Sequence, residues 1–282
     1  METQAAIKEM VKQKYSEIAL KDKETNQSSC CGASCCSTEV YNIMAEDYNN
    51  LEGYNPDADL GLGCGLPTQF AKIKKGDVVI DLGSGAGNDA FIARHETGEA
   101  GKVIGIDFTE AMIQRATQNN DVRGFNNVEF RQGDIEKMPV TANTADVIVS
   151  NCVLNLVPNK DAVIKEIYRV LKPGGHFSIS DIVLEGELPL QIKEAAEMYA
   201  GCVAGAIQKH VYLELIQLNG FANITIQKDK AIVVPDDILG NYLSLEQIAS
   251  FRHSGSAIGS ITVYAEKPAE EKKACCGPDC CN

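Results

Sequence analysis

The chain has 282 residues, which is long enough for one large domain or for one domain with a smaller companion. Its 39 acidic and 26 basic residues give a formal net charge of −13. Nucleic acids and anionic membranes attract basic surfaces, so this balance disfavours both as partners. The sequence also lacks an apolar run near the roughly 20 residues of a membrane span, and its start lacks a signal-peptide core. We therefore expect a cytoplasmic protein that binds neither nucleic acid nor membrane.

Eight of the eleven cysteines form two similar clusters near the ends of the chain. Cys30–Cys36 reads CCGASCC, and Cys275–Cys281 reads CCGPDCC. A disulfide between adjacent cysteines is strained, so these pairs are poor structural crosslinks. Zinc sites usually contain C-x2-C spacing, which neither cluster has. We therefore interpret the clusters as ligands for a soft metal or metalloid, with structural zinc as the alternative.

Residues 2–67, which precede the predicted sheet, alternate between amphipathic and polar stretches. Apolar residues on one helical face predict a helix over Glu2–Leu20, and a polar linker follows over Asp22–Ser29. Thr38 can cap a second helix after the first cysteine cluster. Gly53–Pro67 is rich in Gly, Pro, Asn and Asp, which predicts a loop.

From Gly76 onward, short apolar runs alternate with helical patterns. A strand that is buried on both faces has such a continuous apolar run. Repeated strand–helix units give a parallel, doubly wound sheet, so we predict a Rossmann-like α/β fold. The predicted strands are Val78–Ile80, Lys102–Ile106, Val128–Phe130, Ala145–Ser150 and Phe177–Ile182, and the helices between them are Asn88–Arg94, Thr109–Asn119 (capped by Thr109) and Asp161–Leu171.

After Glu185 the pattern changes to a mixture that predicts a smaller carboxyl-terminal α+β region. We expect helices over Pro189–Cys202 and Lys209–Leu218, strands over Ile224–Gln227 and Ile261–Ala265, a turn at Pro173–Gly175 before the fifth strand, and a capping box at Ser244 and Gln247. The predicted organisation is a helix and cysteine-rich segment at 1–37, a cofactor-binding domain at 38–185, the α+β region at 186–267 and a flexible cysteine-rich tail at 268–282.

A glycine-rich loop, Asp81–Gly87, joins the first predicted strand of the sheet to the following helix and reads DLGSGAG. Glycines there allow a tight turn and the close approach of a cofactor to a helix N-terminus. Gly85–Ala90 also satisfies the G-x-G-x-x-A dinucleotide pattern, and Asp107 after the second strand can bind a ribose in either kind of cofactor. The glycines and Asp107 therefore leave NAD(P) and S-adenosylmethionine both open.

Three further features favour S-adenosylmethionine. Asp81 places a carboxylate before the glycines. There it can face the cationic aminoacyl group of S-adenosylmethionine, which has no phosphate for the carboxylate to repel. Asp134 follows the third strand, where it can accept a hydrogen bond from an adenine amino group, and Leu171–Gly175 reads LKPGG. Together these motifs resemble the class I methyltransferase family over about Gly76–Val183. The resemblance implies a cofactor site built from Asp81, Gly83, Ser84, Gly85, Gly87, Asp107, Phe108, Met112, Asp134, Ile135 and Asn151.

Three cysteines lie outside the terminal clusters. A lone cysteine is most often a small buried hydrophobe, which suits Cys152 and Cys202. Cys64 stands between glycines, where no packed core is expected. The strings GLGCGLP at 61–67, SNCVLNL at 150–156 and AGC at 200–202 resemble the arsenite S-adenosylmethionine methyltransferases, over about Val11–Pro268.

That resemblance implies an enzyme of arsenic detoxification that methylates arsenite or As(III)–thiol complexes, with the 186–267 region contributing to arsenite binding. It implies that Cys152 and Cys202 form the central arsenic-binding pair and that Cys64 is a third ligand. A further family cysteine matches either Cys35 or Cys36. The resemblance also implies a thiol reductant, either a glutathione-like thiol or thioredoxin.

Arsenic bound to three thiolates keeps a lone pair, so it can attack a sulfonium methyl group without a general base. The four histidines are scattered along the sequence, which agrees with such a mechanism. One alternative is a methyltransferase for an organic small molecule, in which the cysteines serve metal tolerance. Another is a non-enzymatic metalloid buffer with a degenerate cofactor fold, against which the intact Asp81–Gly87 loop weighs. Fold alone does not separate these functions.

Overall fold

A mostly parallel sheet forms the centre of the protein in the computed structural model, which describes residues 4–21, 44, 46–195, 198 and 202–269. Within those residues the sheet has eight strands, in the order β3-β2-β1-β4-β5-β8-β7, and the short β6 pairs with β5. Strand β8 runs antiparallel to both of its neighbours. The predicted doubly wound α/β fold is confirmed. The strands are β1 Val78–Leu82, β2 Lys102–Asp107, β3 Val128–Gln132, β4 Ala145–Asn151, β5 Leu171–Glu185, β6 Ile207–Gln208, β7 Ala222–Ile232 and β8 Ala257–Glu266.

Both faces of the sheet are buried, because alternate strand residues enter different hydrophobic clusters. Ile80 packs in the cluster that contains the Lys160–Val170 helix, whereas Val79 packs with the Asn88–Thr97 helix. This double burial explains why β1 has a continuous apolar sequence. The described helices are Gln4–Ala19, Pro67–Phe70, Asn88–Thr97, Glu110–Arg123, Lys160–Val170, Leu190–Glu194, Lys209–Leu218, Asp236–Leu239 and Leu245–His253, with one 3₁₀ turn at Leu154–Leu156.

The predicted capping box is present at the start of the Leu245–His253 helix. The Ser244 hydroxyl accepts a hydrogen bond from the Gln247 amide at 3.3 Å, and the Gln247 side chain accepts one from the Ser244 amide at 2.9 Å. Two backbone donors that a helix start leaves unpaired are thereby satisfied.

Three local predictions were wrong. Thr109 precedes its helix but its side chain forms no capping bond. The helix expected over Pro189–Cys202 stops before Ala195, whose backbone is extended, and Cys202 has a φ of +64° that a right-handed helix does not contain. The Pro173–Gly175 segment, expected as a turn, is included in the 15-residue strand β5.

The parallel register brings the ends of three strands to one edge of the sheet. Leu82 of β1 pairs with Ile106 of β2 and with Ser150 of β4. The residues that follow these partners are the glycine loop, Asp107 and Asn151. Open α/β sheets bind their ligands at this carboxyl edge. The candidate cofactor residues therefore meet there although they are distant in sequence.

The residues after β5 add two strands to this same sheet. Strand β8 pairs with β5 from His176 opposite Glu266 to Glu185 opposite Ala257, and β7 pairs with the other side of β8. Because β8 pairs with β5 on one side and with β7 on the other, residues 222–266 are part of the central sheet, and their strands lie beside the site.

Several predictions fall on residues outside the described ranges. They include both terminal cysteine clusters, and with them the candidate ligands Cys35 and Cys36, as well as the helix expected after Thr38. Among the helices that the structure does describe, none combines the length and the apolar character that crossing a bilayer requires.

Candidate active site

A cleft opens at the carboxyl edge of the parallel strands. It is lined by all of the candidate cofactor residues except Gly87, which occupies the N-cap position of the Asn88–Thr97 helix with a φ of +99°. These candidates are spread over residues 81–151 of the sequence, and the fold gathers them around one space. The candidates in the lining are Asp81, Gly83, Ser84, Gly85, Asp107, Phe108, Met112, Asp134, Ile135 and Asn151.

Hydrogen bonds to the end of β2 fix the glycine loop. The amides of Gly83 and Ser84 donate to the Ile106 carbonyl at 2.7 and 3.0 Å. Gly83 has a φ of +65°, and a Cβ atom there would collide with the Val153 side chain. A larger residue at this position would therefore displace the loop or push a side chain into the cleft.

Two buried carboxylates, Asp81 and Asp107, stand beside the loop and are 2% and 7% exposed. Asp107 accepts hydrogen bonds from the amides of Gly85 at 3.0 Å and Thr109 at 2.8 Å, so it orders the loop in addition to any ribose contact. Burial raises the pKa of both carboxyls, and repulsion from Asp89 raises that of Asp81 further. A cation or another donor in the cleft would stabilise the ionised form of Asp81.

Asp89 and Tyr48 line the cleft but were missed in the sequence. The Tyr48 hydroxyl donates to Asp89 Oδ2 at 3.0 Å, and Asn151 Nδ2 donates to the same oxygen at 3.2 Å. Burial raises the pKa of Asp89 to about 6, although these hydrogen bonds act in the opposite direction. An acidic residue just after the glycines was a usable signal for Asp89. Tyr48 lies far upstream of the sheet and carried no such signal.

Cys64 is held beside the cleft by hydrogen bonds to two strands. Its amide donates to Asn151 Oδ1 at 3.0 Å, and its carbonyl accepts from the Ser260 hydroxyl at 2.6 Å. Gly63 and Gly65 permit this close approach, since a Cβ atom at Gly63 would lie 2.6 Å from Asn151 Nδ2 and one at Gly65 would collide with a β5 side chain. Cys64 is 1% exposed in a hydrophobic cluster, so the expectation that it lies outside a packed core was wrong.

The three candidate arsenic ligands meet in that same cluster. Cys64 and Cys152 form a disulfide with Cα atoms 5.7 Å apart, and the Cys202 thiol donates to the Cys152 carbonyl at 2.8 Å. Cys152 and Cys202 have left-handed backbones, with φ of +62° and +64°. Side chains with a Cβ atom rarely adopt this conformation, and when they do they often lie at functional sites.

Among the described cysteines, Cys202 is the free thiol. Burial raises the pKa of this thiol well above its ordinary value, and the nearby Asp181 carboxylate raises it further. The Lys160 ammonium and a hydrogen bond from Tyr15 act in the opposite direction. Because burial dominates, the thiol is protonated at neutral pH.

The thiols are not arranged as a ligand cage while the disulfide is present. Within the described ranges, no group of three or more His, Cys, Asp or Glu side chains has the arrangement of a metal site. Cys64 and Cys152 are bonded to each other, which leaves one sulfur available. A site with three thiols therefore requires reduction of this disulfide.

Unpartnered polar atoms in the cleft fit S-adenosylmethionine. Asp81 Oδ2, Ser84 Oγ, Asn88 Oδ1 and Asp89 Oδ1 are buried in its lining and lack a hydrogen-bond partner among the described residues. Buried polar atoms are nearly always paired in folded proteins, so these acceptors indicate a ligand rich in donors. A sulfonium nucleoside with an α-ammonium group and ribose hydroxyls provides such donors. A pyrophosphate would instead face the acidic side chains.

Comparison with known proteins agrees with this geometry. A family model described as a methyltransferase domain matches residues 73–220. The arsenite methyltransferase of Halobacterium salinarum is 37% identical over 94% of this chain and 67% of its own length, and that of Aquipseudomonas alcaligenes is 31% identical over 83% and 68%. The crystal structure of an arsenic(III) S-adenosylmethionine methyltransferase from Chlamydomonas reinhardtii matches with a TM-score of 0.62 and 29% identity, over 82% of this chain and 74% of that one. By fold, cofactor cleft and sequence identity, this chain belongs to the arsenite methyltransferase family of S-adenosylmethionine-dependent methyltransferases.

Proposed function

We propose that this chain methylates arsenite while the sulfur atoms of Cys64, Cys152 and Cys202 hold the arsenic. The observation that supports it most directly is the meeting of three cysteines, distant in sequence, next to the cofactor cleft, with Cys152 in the cleft lining itself. Trivalent arsenic is a soft, pyramidal centre, and thiolates are the ligands that soft centres prefer.

Arsenic capture by this site needs no separate acid or base. Each thiol replaces one hydroxide of arsenite, which forms an As–S bond, breaks an As–O bond and releases water. The proton that leaves with the hydroxide comes from the thiol. Because burial raises the pKa of Cys202, its thiol keeps the proton that this exchange consumes.

For methyl transfer, the chain contributes mainly position and exclusion of water. The cofactor, when bound, supplies an electrophilic sulfonium methyl group. Asp81 and Asp89 attract its cationic end, and Asp107 holds the glycine loop against which the ribose would lie. The arsenic lone pair needs only alignment with the methyl group, so holding both at reacting distance is the principal catalytic effect.

The Cys64–Cys152 disulfide fits the electron balance of this reaction. Methylation uses the arsenic lone pair and raises arsenic from the trivalent to the pentavalent state. Two electrons restore the trivalent state, and two thiolates release two electrons when they join as a disulfide. A second thiol donor must then reduce the disulfide, once for each methyl group. A glutathione-like thiol or a thioredoxin-like protein has this chemistry, and both belong to a reducing cytoplasm.

The test is methyl transfer from labelled S-adenosylmethionine to arsenite in the presence of a thiol, with wild type and Cys152→Ser compared. We expect methylated arsenic from the wild type and a loss of at least about 100-fold in the variant, because the arsenic loses its position relative to the methyl group. The affinity of the variant for S-adenosylmethionine should stay within about twofold of wild type, which controls for folding.

Equal rates for wild type and Cys152→Ser would refute the role of the thiols. A folded wild type that binds cofactor but methylates no arsenic would refute the proposal itself. Organic acceptors would then be the next substrates to assay.

A further inference from the structure

The Tyr48 hydroxyl lies between the cofactor cleft and the loop that carries Cys64. On the cleft side it donates to Asp89 Oδ2 at 3.0 Å, and on the loop side the Gly65 carbonyl oxygen is 3.2 Å away. Asn151 Nδ2 donates to the hydroxyl oxygen, and it also donates to the Gly65 carbonyl at 2.8 Å. One hydroxyl therefore contacts both a carboxylate of the cleft and the groups that hold the Cys64 loop.

Packing fixes the ring of Tyr48 independently of its hydroxyl. The side chain is buried in a small hydrophobic cluster with Leu66 and Ile92. Its ring also stacks on that of Tyr54, with the ring centres 6.3 Å apart. Because these apolar contacts position the ring, removal of the hydroxyl alone should leave the ring where it is.

The single hydrogen of the Tyr48 hydroxyl has two acceptors within reach, Asp89 and Gly65. An ionised carboxylate is the stronger acceptor, so a charged Asp89 attracts this hydrogen. The Gly65 carbonyl then takes its hydrogen from Asn151, whose Oδ1 accepts from the Cys64 amide. Since Asp89 Oδ1 is buried in the cleft lining and lacks a partner among the described residues, a ligand cation at this oxygen would keep Asp89 charged. Such a ligand would favour the arrangement in which Asn151 holds the Cys64 loop.

We propose that Tyr48 is a positioning residue that links the two halves of the site, so that bound cofactor increases the affinity for arsenite. Its hydroxyl holds Asp89 for the cationic end of the cofactor and leaves Asn151 to hold the loop of Cys64. The arsenite half of this assignment rests on the proposed function, since it requires Cys64 to bind arsenic. Linkage between two sites is reciprocal, so arsenite should increase the affinity for the cofactor by the same factor.

Tyr48→Phe tests this assignment, because it keeps the ring and removes only the hydroxyl. Equilibrium dialysis of the reduced protein measures arsenite affinity with and without S-adenosylhomocysteine, which keeps the α-ammonium group but has no methyl group to transfer. In the wild type, S-adenosylhomocysteine should raise arsenite affinity at least about fivefold, and in Tyr48→Phe by less than about twofold. Tyr264→Phe is the matched control, since it removes a hydroxyl that donates to Glu266 at 2.6 Å within β8, and it should behave like the wild type.

A second variant shows whether Tyr48 acts through Asp89. Asp89→Asn keeps the shape of the side chain and removes its charge, so it should also reduce the linkage to less than about twofold. Tyr48→Phe alone should lower the affinity for S-adenosylhomocysteine by roughly 3- to 10-fold, the range for one lost hydrogen bond. Added to Asp89→Asn, it should change that affinity by less than about twofold, because the carboxylate that it positions is already gone. A full second loss in the double variant would overturn the assignment.

Undiminished linkage in Tyr48→Phe would also overturn the assignment, and so would independent binding of the two ligands to the wild type. In each of these cases a wild type that methylates arsenite leaves the proposed function standing. A wild type that binds S-adenosylhomocysteine but neither binds nor methylates arsenite would overturn both.

Discussion

Asn151 connects the cleft to the Cys64 loop, and Asn151→Ala should break this connection. Its Oδ1 accepts hydrogen bonds from the amides of Cys64 at 3.0 Å and Gly65 at 3.2 Å, and its Nδ2 donates to the Gly65 carbonyl at 2.8 Å. Alanine would leave the two buried amides without an acceptor. An unpaired buried amide costs roughly 1–3 kcal/mol, so two of them predict a loss of roughly 2–6 kcal/mol in the free energy of unfolding.

The same substitution should weaken arsenic binding more than cofactor binding. Without Asn151, the loop loses the contact that holds Cys64 next to Cys152, and we expect the KM for arsenite to rise by at least about tenfold. Urea denaturation under reducing conditions measures the stability, and methyl transfer with labelled S-adenosylmethionine measures the KM.

Asn159→Ala is the matched control. The Asn159 side chain accepts from the Ala162 amide at 3.1 Å and caps the Lys160–Val170 helix. Its loss should cost about 1 kcal/mol of stability and leave the KM for arsenite unchanged. Wild-type stability together with an unchanged KM for arsenite in Asn151→Ala would refute this role of Asn151, because other groups would then satisfy the two amides.

Further outcomes are expected at the glycine loop, at Asp89 and at the disulfide. Gly83→Ala should abolish binding of S-adenosylmethionine in a calorimetric titration, because the new Cβ atom would collide with Val153; retained affinity would contradict this. Cofactor affinity should fall as the pH is lowered through about 6, where Asp89 gains a proton and no longer attracts a cation, and an affinity that is constant from about pH 5 to 7.5 would contradict that role. Since burial raises the pKa of Asp89 above its unfolded value of 3.8, the folded state binds this proton more tightly, and Asp89 by itself lowers the stability as the pH rises from about 4 to about 6. Protein carrying the Cys64–Cys152 disulfide should retain arsenite in gel filtration only after reduction by a phosphine, which supplies no competing thiol, and equal retention by the oxidised protein would count against the three-sulfur site.

The candidate cofactor half of the site could be predicted because most of its residues lie at or near the end of a strand. Asp81, Asp107 and Asn151 all stand at or just after the end of an apolar run, and the parallel register of β1, β2 and β4 places those ends side by side. Periodicity identified the strands and topology rules placed their ends together. A short-range pattern was therefore enough to predict a long-range arrangement.

The walls of the site could not be predicted in the same way. Tyr15 and Tyr48 come from segments before the sheet, and nothing in their neighbouring sequence indicates what they contact. Their positions depend on how a helix and a loop pack across the finished sheet. The burial of Cys64 was missed for a related reason, since flanking glycines indicated an open loop but in fact allow the backbone to approach the strands closely.

By itself, the sequence determined the fold class and predicted the glycine loop, because both depend on residue types at short and regular spacing, whereas the candidate arsenic ligands followed only from a resemblance to a known family. Only the tertiary structure decided that Cys64 is paired with Cys152, that Cys202 donates to the Cys152 carbonyl, and that the ring of Tyr15 packs against the cluster that contains these cysteines. These contacts join segments that are far apart along the chain. Their geometry follows from the packing of buried side chains at the sheet edge, which local periodicity does not encode.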